Sequence, residues 1–231
     1  MIYGYENLFT ILLSVVAVFI VARAQSKINK AYSTYQKVKA KSNLSGVEVA
    51  RKILDANGLQ HVHVLETTGT LTDHYDPSKK VVKLSKEIFN GDSIAAISVA
   101  AHECGHAIQD KENYTFMRLR AFFVPIVNLV SYLGYFSIII SLLAGILMYL
   151  KLGILILVVT LIFQLITLPV EFDASKKAKK QLIKLGITTK EENNGVDAML
   201  DAAANTYVAS VLSTIINILR LVTMLNRNDR D

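Results

Sequence analysis

The sequence has no tryptophan, 3 prolines and a single cysteine, Cys104. So little proline, beside 52% hydrophobic residues, excludes a disordered or collagen-like chain. One cysteine cannot close an intrachain disulfide, so no disulfide framework supports a secreted fold. Charge is scarce too, at 19% Asp, Glu, Lys and Arg. The net charge of +6 gathers beside apolar segments, which the positive-inside rule explains more simply than nucleic-acid binding. No Lys or Arg precedes the first apolar run, Leu8 to Ala22, and a cleaved signal peptide needs a basic start. Residues 1–22 are therefore expected to form an uncleaved transmembrane anchor. No acidic residue follows until after Lys41, while Arg23, Lys27, Lys30, Lys37, Lys39 and Lys41 all do. This places residue 23 onward on the cytoplasmic side.

Residues 23–120 read as a cytoplasmic part. Ser45, with Glu48 three residues on, caps a helix carrying Val49, Ala50, Ile53 and Leu54 at helical spacing, and Asn57-Gly58 stops it. Val62, Val64 and Leu65 predict a strand. Asp73 to Pro77 predicts a loop or hairpin leading into a second short strand, Val81 to Leu84. Gly91-Asp92-Ser93 caps a helix from Ile94 to Gln109. Phe122 to Val170 is apolar with Lys151 as its only charge, which suits two crossings at roughly 20 residues each. Residues 121–170 are thus expected to be a transmembrane hairpin turning at Lys151-Leu152-Gly153. Its flanks, Arg118 and Arg120 before and Lys176, Lys177, Lys179 and Lys180 after, predict that both ends are cytoplasmic. The last part, 171–231, contains an apolar helix, Val208 to Leu225, which is either a further span or a helix lying against the membrane or the domain. The fold class expected is a mainly α integral-membrane protein with three to four transmembrane helices.

The chemistry concentrates at His102-Glu103-Cys104-Gly105-His106. Two histidines four apart stand on one helix face, one turn from each other. Both imidazoles can reach one tetrahedral Zn²⁺ at about 2.0–2.1 Å. Glu103, about 100° round the helix, can serve a zinc-activated water as general base without being a ligand. A catalytic zinc needs a third protein ligand and one open position. Glu171 is the leading candidate, at the cytoplasmic end of the second hairpin arm, where a helix-like run begins. Asp173 lies on the wrong helical face to share that metal and is a candidate for supporting a ligand. His74, within Asp73-His74-Tyr75-Asp76, is a candidate cleft residue, and Tyr207 a candidate donor to the oxyanion of a tetrahedral intermediate. His61 and His63 share one face of the first strand, as half-exposed strand positions or metal ligands. Cys104 occupies a variable position of the motif and reads as structural.

Asp73-His74-Tyr75-Asp76-Pro77, Val81 to Ser85, Ala100 to Gln109 and Leu168 to Ser175 together resemble the bacterial membrane neutral zinc metallopeptidases, the YugP-like family, over nearly the whole chain. More distantly, the order of parts is similar to the HtpX-like membrane peptidases. The resemblance implies a zincin (gluzincin-like) catalytic part with a small β-sheet edge. It implies His102, His106 and Glu171 as zinc ligands and Glu103 as the catalytic residue. The strand Val81 to Leu84 would be the edge on which an extended substrate adds. Ser175 departs from the distant pattern, which has Asp there. The expected activity is zinc-dependent endopeptidase action at the cytoplasmic membrane face. The expected partners are a peptide or membrane-protein substrate and the lipid bilayer, with no nucleic acid. An intramembrane protease is a rival, but Ile94 to Ala101 is too short to cross. A non-catalytic zinc-binding membrane module with a regulatory or partner-binding role is the alternative from another class. A fourth ligand, such as His74, would favour it.

Overall fold

A computed structural model describes residues 2–70, 72–144 and 148–228. The described chain contains the helices α1 (Ile2–Tyr35), α2 (Gly46–Ala56), α3 (Lys86–Asn90), α4 (Ile94–Lys111), α5 (Thr115–Ala144), α6 (Met148–Lys184) and α7 (Lys190–Asn228). Three strands, β1 (His63–Thr67), β2 (His74–Asp76) and β3 (Val81–Ser85), lie between α2 and α3. Two compact units result: Met1–Gln25, Leu119–Leu168 and Thr206–Asp231 form one, and Ser26–Arg118 with Pro169–Asn205 the other.

The first unit is helical, and its apolar side chains face outward. Val18, Phe19, Phe122 and Leu129 are each at least 60% exposed. Exposed apolar surface on this scale is unfavourable in water and at home in lipid. Among the described residues three helices are long and apolar enough to cross a membrane, Leu8–Tyr35, Lys151–Lys184 and Lys190–Leu225. The apolar segment from Val208 is thus part of one long helix, α7, and not a separate element. Arg220, the charge within it, donates from Nη1 to Ser14 Oγ on α1 at 2.9 Å. Such pairing is the usual way to hold a cation at an apolar depth.

The expected hairpin turn at Lys151-Leu152-Gly153 is not found, because these residues lie inside α6. A lone Lys and Gly within an apolar run punctuate a helix only weakly, and glycine is common in spanning helices. The first arm from Phe122 lies in α5, and 145–147 fall outside the described residues.

In the second unit the expected helix signals are used as read. The Ser45 backbone N–H donates to the Glu48 carboxylate at 2.8 Å, and Ser93 Oγ accepts from Ala96 N–H at 3.1 Å. Gly58 adopts φ +68°, the left-handed conformation that ends α2 after Asn57. Helix α4 is the centre of this unit. Its Ile97, Ala100, Ala101, Cys104 and Ala107 share one buried cluster with Val49, Ile53 and Leu54 of α2, Val82 and Leu84 of β3, and Ala178 and Leu182 of α6. The helix that carries the two histidines is therefore the core helix of a packed domain.

The sheet order is β1-β3-β2, with β1 parallel and β2 antiparallel to β3. This corrects one expectation. Strand β3, which the resemblance makes the substrate edge, is the middle strand and is buried at four of its five positions. Strand β3 pairs with β1 along all five residues and with β2 at Val81, Val82 and Lys83, so over those three residues it is flanked on both sides. The edges belong to β1 and β2. Tyr75 on β2 donates its phenol O–H to Asp110 at the end of α4 at 2.6 Å, which ties the β2–β3 hairpin to the metal-motif helix.

Candidate metal centre

Helix α4 presents His102 and His106 one turn apart, with ring centroids 4.8 Å apart and nearly perpendicular planes. The partner helix is α6. Its proline, Pro169, offers no N–H to the carbonyl one turn back, so the helical ladder is interrupted two residues before Glu171. Glu171 Oε2 lies 3.3 Å from His102 Nε2 and 3.7 Å from His106 Nε2. The three potential donor atoms lie within 4.8 Å of one another. In a tetrahedral zinc site with bonds of about 2.05 Å, neighbouring donors stand about 3.3 Å apart. The His102–Glu171 pair already meets that spacing and the His106–Glu171 pair is 0.4 Å beyond it. Two imidazoles and a carboxylate form a donor set that suits zinc.

Close approach of the two helices depends on Gly105. A Cβ there would lie 2.4 Å from the Ala174 carbonyl oxygen and 3.0 Å from its carbon. Ala174 and Ala178 on α6 are fully buried against α4. The glycine inside the motif thus lets the backbone carrying Glu171 come within reach of both imidazoles.

The outward nitrogens are held as well. Ser175 Oγ lies 3.2 Å from His102 Nδ1, and Gln109 Oε1 lies 3.0 Å from His106 Nδ1. Each partner sits on Nδ1 and leaves Nε2 turned to the cluster, the arrangement a metal-binding histidine uses. Burial disfavours the charged form of His106, but the adjoining Glu171 carboxylate and the charge of Glu103 outweigh it and shift its pKa upward. The field at this point therefore favours a cation. Glu103 is buried beside the cluster and has no hydrogen-bond partner among the described residues. Cys104 faces the other way, with Sγ 3.6 Å from the Ala50 carbonyl oxygen, and burial pushes its thiol pKa up.

His102, His106 and Glu171 are thus brought together, with Glu103 next to them in sequence. Asp173 does not touch a histidine. It accepts from Gln109 Nε2 at 3.0 Å and from Lys177 Nζ at 2.6 Å. His74 is exposed on β2, with Nδ1 2.7 Å from the Thr72 carbonyl oxygen, and is not among the clustered donors. His61 and His63 are exposed, before and at the start of β1. Tyr207 belongs to the part of α7 in the first unit. Sequence reasoning missed Gln109, although it stands three residues after His106 on the same helix face, and noted Ser175 only as a departure from the distant pattern, without its contact to His102.

A helical chain with membrane-length apolar helices and a His-His-Glu cluster on a packed apolar core is the pattern of a membrane-bound metallopeptidase. Residues 10–226 match the family described as "Putative neutral zinc metallopeptidase", and the chain belongs to this family. It is 45% identical over 221 residues to "Putative membrane protease YugP" of Bacillus subtilis (strain 168), covering 96% of this chain and 98% of that protein. No solved structure matches the chain. Its cofactor is zinc, and the structure groups His102, His106 and Glu171 so that they could hold a metal ion.

Proposed function

We propose that this chain is an endopeptidase working at the cytoplasmic face of the cell membrane, with Glu103 as its general base. The observation that carries the reading is the convergence of His102, His106 and Glu171 on one point beside an uncommitted, buried Glu103. Zinc held there would polarise the scissile carbonyl and acidify a water molecule. Glu103 would take the proton of the attacking water and return it to the leaving amine. His74 stands on the edge strand β2, where an extended peptide backbone can pair, and we assign it to substrate contact. Three protein donors, and no fourth among the described residues, suit a catalytic site better than a closed structural one. The position of α4 inside a packed core argues against cleavage within the bilayer.

The lysine-rich segments after residue 22 and after residue 175 support a cytoplasmic active site. The decisive experiment is Glu103→Gln, assayed for cleavage of a membrane-protein substrate and for zinc content. We expect zinc to stay bound and hydrolysis to fall by about 10²–10⁴-fold. Wild-type cleavage by the variant would end the reading. A cysteine replacing Lys176 in whole cells should be silent to an impermeant maleimide and should react after permeabilisation. Native Cys104 is fully buried and adds no background.

A further inference from the structure

We propose that Gln109 is a positioning residue for the metal site, fixing the tautomer of His106 and tying α4 to the turn of α6 that carries Glu171. This rests on the metal-site reading above. Gln109 is completely buried, although its side chain is an uncharged amide next to the cluster. Its Nε2 donates to the Val170 carbonyl oxygen at 2.7 Å and to Asp173 Oδ2 at 3.0 Å. Both partners can only accept, so both amide protons are committed and Oε1 must face His106 Nδ1, 3.0 Å away. That nitrogen must then carry the proton, and Nε2 keeps its lone pair for the metal.

The direction of the chain is set from its far end. Lys177 Nζ donates to Asp173 at 2.6 Å and pairs with Glu112 at 3.1 Å. A cation at this point keeps Asp173 an acceptor, and Asp173 orients the amide. Gln109 belongs to α4 and Glu112 is the residue that caps its C-terminus, while Val170, Asp173 and Lys177 belong to α6. The same polar contacts therefore clamp the two ligand-bearing helices across Gly105. Asp173 acts on the metal only through Gln109.

The test is zinc affinity of the full-length, detergent-solubilised protein by chelator competition, with thermal unfolding of each metal-free variant. Gln109→Leu removes the acceptor and should weaken zinc binding by about 10–100-fold. Gln109→Glu restores an acceptor for His106 but sets a carboxylate against Asp173 and the Val170 carbonyl, so it too should bind zinc more weakly. Adding Asp173→Asn supplies an N–H to that carboxylate and still offers Lys177 an oxygen. The double variant should regain about tenfold over Gln109→Glu alone. A role in packing alone predicts no such rescue. The inference is overturned if Gln109→Leu binds zinc within about twofold of wild type, or if the double variant is no tighter than Gln109→Glu. Should Gln109→Leu fail to fold, the second comparison decides. Glu171→Ala serves as the control. If it keeps its zinc, the metal-site reading itself fails; if it loses zinc while Gln109→Leu does not, only the positioning role is lost.

Discussion

Gly105→Ala sets two physical effects of opposite sign against each other. In a helix interior, Ala is favoured over Gly by about 1 kcal/mol, so propensity alone predicts a more stable protein. Packing predicts the reverse. The new Cβ would meet the Ala174 carbonyl oxygen at 2.4 Å, about 1 Å inside ordinary van der Waals contact. The obstacle is backbone and cannot rotate away, so α6 has to retreat. Overpacking of this kind costs about 1–3 kcal/mol, which cancels or exceeds the propensity gain. The effect on the metal is larger. Ala174 lies between Glu171 and Ser175, so a retreat of about 1 Å moves the proposed ligand and the partner of His102 together. Zinc–ligand distances tolerate only about 0.2 Å. We expect zinc affinity to fall at least tenfold, while the metal-free protein melts within a few degrees of wild type. Chelator competition and thermal unfolding with and without zinc separate the two. A variant that binds zinc as wild type does and melts higher would refute the role given to this glycine.

Glu171→Ala should weaken zinc by about 100-fold or more, since loss of a ligand must cost at least the upper end of what loss of a ligand's partner costs. Ser175→Ala, measured in the same titration, should cost nearer tenfold, because it leaves all three donors and frees only the His102 ring. Tyr75→Phe removes a buried phenol's bond to Asp110, which keeps its ion pair with Lys80. It should destabilise by about 1–2 kcal/mol, seen as a lower melting temperature, and leave zinc affinity unchanged.

What was legible in the chain follows the range of the interactions. His102 and His106 are readable because four residues of one helix suffice to define their geometry. Glu171 is readable because a carboxylate at the end of an apolar run must have a reason to be there. The sheet order was not readable in the same way. Val81-Val82-Lys83-Leu84 carries the near-continuous apolar character of a covered strand. Which strand covers it depends on β1 pairing in parallel across an intervening hairpin, and β2 has three residues, too few for an alternation to register. The Lys151-Leu152-Gly153 punctuation misled because helix-breaking residues weigh less where every backbone group must be satisfied within the helix.

Gln109 and Ser175 show why a site of this kind is only half visible. Both take their meaning from groups on the opposite helix, more than 60 positions away. No local period reports such a pairing. What the sequence does carry is the permission for it: Gly105 on one helix and Ala174 and Ala178 on the other, small where the backbones must approach. The proposed ligands would supply the metal's donors, but these small residues decide whether a carboxylate on α6 can reach two imidazoles on α4. A substitution that enlarges either face should therefore act on zinc as strongly as one that removes a ligand's hydrogen-bond partner.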